Sequence, residues 1–457
     1  MKRLITGAEV LTGGELKKVD VLFDEHEILA IGENLPAAYA NGAAATAEGP
    51  ETETADAAEA ETAGAPNGDG EIEIIHADGL TLLPGLVDVH VHLREPGFEQ
   101  KETIATGTRA AAHGGFTTIL PMPNLNPFPD SPEHVTPYLE KIKSDAVVHT
   151  LPYGTITQSE AGKEPTDFEA LKAMGIKHFS DDGVGIATEE AAREAFTKAA
   201  AAGVLVACHT EDMSYRGPGS SVHDGEMAKR NGWVGIPSLT ESAQLERDLK
   251  IAGEVGLKYH GCHISCRESL EALRAAKARG TDCSAEVTAH HLLLEEDDVK
   301  GPNWKMNPPL RTHEDRLALI EALEDGTLDF IASDHAPHTK ADKDKPMAKA
   351  AFGIVSLETS FALLYSEFVH RTGRWSLAQL VSYMSEKPAE RFGLSGRGKI
   401  EVGAHSDLVL ARLGEETVIH AEDFYSKGKN TPFDGWTVYA KTVETIVDGK
   451  TVYKEEA

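Results

Sequence analysis

The stretch Leu86-Val87-Asp88-Val89-His90-Val91-His92 alternates apolar and polar side chains with the two-residue period of a β-strand. Alternation predicts Val87, Val89 and Val91 on one face, packed against helices. It predicts Asp88, His90 and His92 on the other, pointing into a barrel at the strand's C-terminal end. Two imidazoles two residues apart on one strand face can reach a single metal ion. Pro84-Gly85 precedes the row and sets its start.

Working outward, seven more apolar runs follow at 117–121, 146–152, 176–180, 204–209, 258–263, 284–290 and 328–334. Amphipathic stretches such as Glu102–His113 and Glu189–Ala202 separate them. Eight strand-then-helix units predict an α/β fold, a (β/α)8 TIM barrel, over residues 84–395. Polar residues close several of these strands: Asp182 follows the fourth, and His209, His263 and Asp334 end the fifth, sixth and eighth. They fall on one rim, where catalytic groups of this fold collect. Four histidines with two carboxylates form a mixed N/O set that suits zinc. At the fourth strand Asp181 is the rival ligand; strand phase groups His178, Ser180 and Asp182, which favours Asp182.

The ends of the chain read differently. Short apolar runs at 4–7, 19–23 and 28–32 and the hairpin signal Val447-Asp448-Gly449-Lys450 predict strands joined by tight turns. Residues 1–83 and 396–457 are therefore expected to pair into one small β domain. Within the first of these, 36–70 collapses to Ala, Glu, Thr, Gly and Pro and is read as a flexible acidic surface insertion.

The chain has 457 residues, with 44 basic against 74 acidic and a formal charge of -30. Such a field disfavours nucleic acid and anionic membrane as partners. A small anionic substrate then needs local cations. No apolar run approaches the roughly 20 residues of a membrane span, and Met1–Gly7 lacks the apolar core of a signal peptide, so a cytoplasmic location is expected. The four cysteines are too few and scattered for a disulfide framework. Cys262-His263-Ile264-Ser265-Cys266 lacks the second cysteine pair of a thiolate metal site, and His290-His291 is read as structural.

Longer motifs add a family resemblance. Pro84–Gly97, with Leu93-Arg94-Glu95-Pro96-Gly97 closing it, resembles the signature of bacterial dihydroorotases in the amidohydrolase superfamily, as do Met122-Pro123-Asn124, Ser180-Asp181-Asp182-Gly183, Lys305–Arg311, Ser333–Thr339 and Ser426–Phe433. The resemblance implies one zinc on His90, His92 and Asp334 and a second on His209 and His263. Many relatives bridge the two ions with a carboxylated lysine. Asp182 stands in that place here, as in one branch of dihydroorotases, so one or two Zn2+ ions are expected, two being favoured.

It also implies reversible hydrolysis of dihydroorotate to N-carbamoyl-L-aspartate in pyrimidine synthesis. Divalent metal lowers the pKa of water toward ~7, and Asp334 is the expected proton carrier between attacking water and leaving nitrogen. Arg94, in phase with His92, offers a guanidinium fork to the substrate carboxylate. Asn124 and His338 are implied to share that carboxylate. Asn307 and the backbone near Phe352-Gly353 are implied to hold the ring. The polar segment 339–351 is read as a loop beside the site, either covering the substrate or idle.

Other cyclic amidases, acting on dihydropyrimidine, hydantoin or allantoin, are the nearest enzyme alternative; they usually carry the bridging lysine. A non-catalytic scaffold for aspartate transcarbamoylase is the other, and such proteins lose ligands, none of which is missing. A homodimer is expected, with association with that transcarbamoylase open to an active enzyme too.

Overall fold

The computed structural model describes residues 1–35 and 72–456, so the acidic stretch 36–70 lies outside the described residues. Eight parallel strands close on themselves. The first, Leu86–Val91, pairs with the second, Phe116–Pro121, which pairs with His149–Thr150 of the third. Gly154–Thr155 then joins His178–Ser180, and the ladder continues through Leu205–Cys208, Lys258–Gly261, Cys283–Thr288 and Phe330–Ala332. A parallel bridge between Val91 and His335, with His92 N donating to His335 O at 2.8 Å, completes the circle. The fold is a (β/α)8 barrel.

Helices between the strands follow local signals. Thr188 caps Glu189–Ala202 by accepting from Ala191 N, and Gly203 ends that helix in the left-handed region at φ 67°. The third strand is split, because Pro152 cannot donate to a ladder. The seventh ends at Thr288, earlier than expected: Thr288 caps a short helix, Ala289–Leu293, that carries His290 and His291.

The valines of the opening strand divide differently from simple alternation. Val87 and Val89 share a buried cluster with Leu120, Tyr153, Leu205, Phe330 and Phe392. Only the barrel axis can gather side chains from strands on opposite sides. Val91 alone joins the larger cluster beneath the helices. Register shifts between Leu86 and Val87 and between Asp88 and Val91 interrupt the ladder, and an interrupted ladder loses strict alternation. Phe392 closes the floor, its ring against those of His178, His260 and Phe330. Burying such a side chain stabilises the fold by about 1.5–3 kcal/mol.

Both chain ends meet in a small β domain. A six-stranded sheet runs Lys450–Lys454, Thr437–Val447, Leu408–Val418, Thr81–Pro84, Glu9–Thr12, Glu15–Lys18. A four-stranded sheet of Ile28–Gly32, Asp20–Phe23, Lys2–Thr6 and Ile72–His76 lies beside it. Ile5, Val10 and Val21 pack with Leu408, Leu410 and Ile446 in one core.

Candidate metal centre

The barrel brings His90, His92, Asp182, His209, His263 and Asp334 to its C-terminal rim, all buried. His90 Nε2 lies 3.4 Å from Asp182 Oδ1 and 3.5 Å from Asp334 Oδ1. His92 Nε2 lies 3.5 Å from Asp182 Oδ2 and 3.2 Å from Asp334 Oδ1. On the other side, His209 Nδ1 and His263 Nε2 stand 3.9 and 3.8 Å from Asp182 Oδ1, and 2.9 Å from each other. At that separation two ring nitrogens share either a proton or an ion. Asp182 is thus common to both halves. Asp181 is spent elsewhere: its carboxylate accepts from Ile156 N at 2.8 Å, Thr157 N at 3.1 Å and Thr157 Oγ1.

These residues fit a metal. His90 Nε2 and Asp182 Oδ1 are buried without a hydrogen-bond partner, a costly state unless something else satisfies them. Two sets, His90-His92-Asp182 and Asp182-His209-His263, each place three donor atoms within 4.8 Å of one another. Burial opposes the charge of Asp182, yet His90, His263 and His92 hold its carboxyl well below the usual range. Asp181, with no such neighbours, is pushed up by burial to about 6. Burial also pushes the Cys262 thiol up to about 12, so it stays a neutral thiol beside the site. A further three-donor group, His149-Asp407-Asp448, lies away from this rim, and its Asp407 is already paired with Arg397.

Residues behind these side chains orient them. His90 Nδ1 donates to Glu286 Oε1 at 2.7 Å, and Glu286 also accepts from His260 Nε2 at 3.0 Å. His92 Nδ1 donates to Asn124 Oδ1 at 2.8 Å, while Asn124 Nδ2 donates to Asp182 O at 2.8 Å and Oδ2 at 3.1 Å. Asn124 therefore braces two candidate ligands at once. Such partners fix ring orientation and tautomer. Glu286 escaped the sequence reading, although it is the one charged residue of the strand Cys283–Thr288, flanked by Ala285 and Val287.

A cavity of ≈ 240 Å³ opens beside the ligands, lined among others by Arg94, Asn124, Asn307, Phe352 and Gly353, with Glu211 and Arg216 in addition. Arg94 sits in the left-handed region at φ 61°, a strained backbone for a side-chain-bearing residue, and its Nε donates to Pro337 O at 3.4 Å. His338 is set back from the cavity, donating Nε2–H to Phe352 O at 2.7 Å. Burial, reinforced by the Arg94 cation, holds its imidazole down to about 2, so it is neutral. Gly353 N donates to Lys305 O at 2.9 Å, so that N–H is already engaged. Gly353 also has φ 122°, and a Cβ there would sit 2.6 Å from Ala336 Cβ; only glycine fits.

The segment after His338 is pinned. Thr339 caps the turn Lys340–Lys343, and the buried Lys343 ammonium donates to Ala351 O and Gly353 O at 2.9 Å and Lys305 O at 3.2 Å. Lys305 in turn lies 4.1 Å over the Phe352 ring.

Residues 79–269 match the Dihydro-orotase-like family model, and residues 269–453 match the Amidohydrolase family. A dihydroorotase of Bacillus licheniformis is 52% identical over 384 residues, 84% of this chain and 89% of its own length. One of Staphylococcus epidermidis is 45% identical over 456 residues, 99% of this chain and 100% of its own. Among solved structures, the L-hydantoinase (dihydropyrimidinase) of Arthrobacter aurescens superposes with a TM-score of 0.82 at 25% identity, covering 100% of this chain and 96% of that one. The dihydropyrimidinase of Brevibacillus agri does so at 0.79 and 24% identity, covering 99% and 95%, which speaks to fold alone. With identity near one half along most of its length to such relatives, the chain belongs to the dihydroorotase family of metal-dependent amidohydrolases.

Proposed function

We propose that this chain opens and re-forms the ring amide of dihydroorotate, interconverting it with N-carbamoyl-L-aspartate in pyrimidine synthesis. The observation that carries it is one buried rim of six candidate ligand residues, five of which line a single cavity with Arg94. Zinc would be held by His90, His92 and Asp334 on one side and by His209 and His263 on the other, Asp182 being common to both donor groups. When bound, such ions acidify water and polarise a carbonyl oxygen.

The chain's own residues supply position and proton transfer. Asp334 accepts a proton from the attacking water and returns it to the ring nitrogen as the amide bond breaks. Its contacts with His90 and His92 keep it a carboxylate, well below the usual range despite burial. Arg94 pairs with the substrate carboxylate, the local cation that a chain of net charge -30 needs. Asn307 and Phe352 line the same cavity and would hold the ring.

The test is direct. Purified protein should contain zinc and should consume dihydroorotate, followed by loss of its ultraviolet absorbance. Chelation should stop the reaction and zinc restore it. Turnover of hydantoin or dihydrouracil without dihydroorotate would sink the proposal in favour of another cyclic amidase.

A further inference from the structure

His209 turns Nδ1 toward Asp182 and His263, and its other nitrogen the opposite way. There, Nε2 meets Glu211 Oε2 at 3.3 Å. Asn307 Nδ2 reaches the same oxygen at 3.0 Å and lies 3.3 Å from His209 Nε2. If Nδ1 presents a lone pair to an ion, Nε2 carries the ring proton. Asn307 Nδ2 and His209 Nε2 are then both donors, and Glu211 Oε2 accepts from each.

The far side of Glu211 is anchored too. Oε1 accepts from Arg216 Nη1, and Arg216 Nε donates to Ser220 Oγ at 2.8 Å. The Arg216 guanidinium lies 4.8 Å over the Phe352 ring. One carboxylate thus joins a ligand, a cavity amide and the cation stacked on the cavity wall. The partner imidazole has no such brace: His263 Nδ1 is buried without a hydrogen-bond partner among the described residues.

We propose that Glu211 is a positioning residue that fixes the His209 tautomer and so governs metal occupancy of the His209–His263 half, with Arg216 holding Glu211 in place. This rests on the two-ion reading above. Glu211 itself is not offered as a ligand, because it lies on the ring edge turned away from Asp182.

The test is a Co(II) titration of the full-length, metal-stripped protein, following visible absorption and bound metal per chain. The parent protein should take up two equivalents. Glu211→Ala should weaken one equivalent by roughly 10- to 100-fold and leave the other unchanged. Glu211→Gln keeps an acceptor oxygen for Nε2–H and should recover part of that loss. Two equivalents bound as tightly in Glu211→Ala as in the parent would overturn the proposal. So would equal weakening of both with a lowered melting temperature of the metal-free protein, since that marks a purely structural ion pair. A parent protein that binds fewer than two equivalents overturns the two-ion reading, and with it this role; that outcome is visible before any variant is made.

Discussion

The two halves of the candidate metal centre are built to different standards. In the His90–His92 half both imidazoles are held from behind, one by Glu286 and one by Asn124. In the other half, among the described residues, only His209 has such a partner, Glu211, and that partner stands at the cavity wall. His263 sits at φ 32°, in the left-handed region, with Nδ1 bare among the described residues. The first half has a brace for each imidazole, one of which, Glu286, stands apart from the cavity, while the second has a single brace, and that one lines it. Affinity should therefore be unequal, and the weaker half should respond to changes in the cavity.

The largest effect is expected where the halves meet. Asp182→Ala removes the shared carboxylate, so bound metal measured by atomic absorption should fall in both, and turnover should drop by several orders of magnitude. Loss of only one ion would show that the halves are independent. Asp334→Asn should cost as much in rate while leaving metal-free folding intact by circular dichroism.

Next comes Glu286→Ala. Removing one member of a buried hydrogen-bonded charge network costs about 3–5 kcal/mol, read as a lower urea midpoint. Metal should be lost first from the His90 half, the reverse of Glu211→Ala. Asn124→Ala is expected to be milder, weakening metal at the His92 side by roughly 10- to 100-fold. A raised KM with metal affinity unchanged would instead return Asn124 to substrate binding. Smallest of all, deleting residues 40–66 should leave metal content and turnover within a few fold; a large loss would give that acidic stretch a function.

The sequence made the rim legible because the candidate ligands stand at strand ends, and a strand end in a barrel has only one place to go. Asp182 could be separated from Asp181 by phase, since His178 and Ser180 share its parity. What escaped depends on partners distant in the chain. Glu286 becomes a brace only when barrel closure brings the seventh strand within two strands of the first, and Lys343 a pin only when Lys305 and Gly353 come together around it. Val87 and Val89 misled for another reason: the irregular ladder between the first two strands leaves no mark in the residues themselves. Asn124 carried a family expectation of substrate contact; it lines the cavity and its amide also meets His92 and Asp182, a role visible only in the folded chain.

The sheet shared by the two chain ends also has a meaning in time. Thr81–Pro84 pairs with the strand that begins at Leu408, and Ile5, Val10 and Leu82 are covered by residues from Leu408 to Ile446. A ribosome delivers the first partners long before the last. Throughout synthesis of the barrel the early strands carry an open edge and an uncovered apolar face, the state most prone to pair with a neighbouring chain. The closing strands therefore act as a completion seal: a nascent chain that stops short of them keeps its barrel sequence and remains sticky at its beginning.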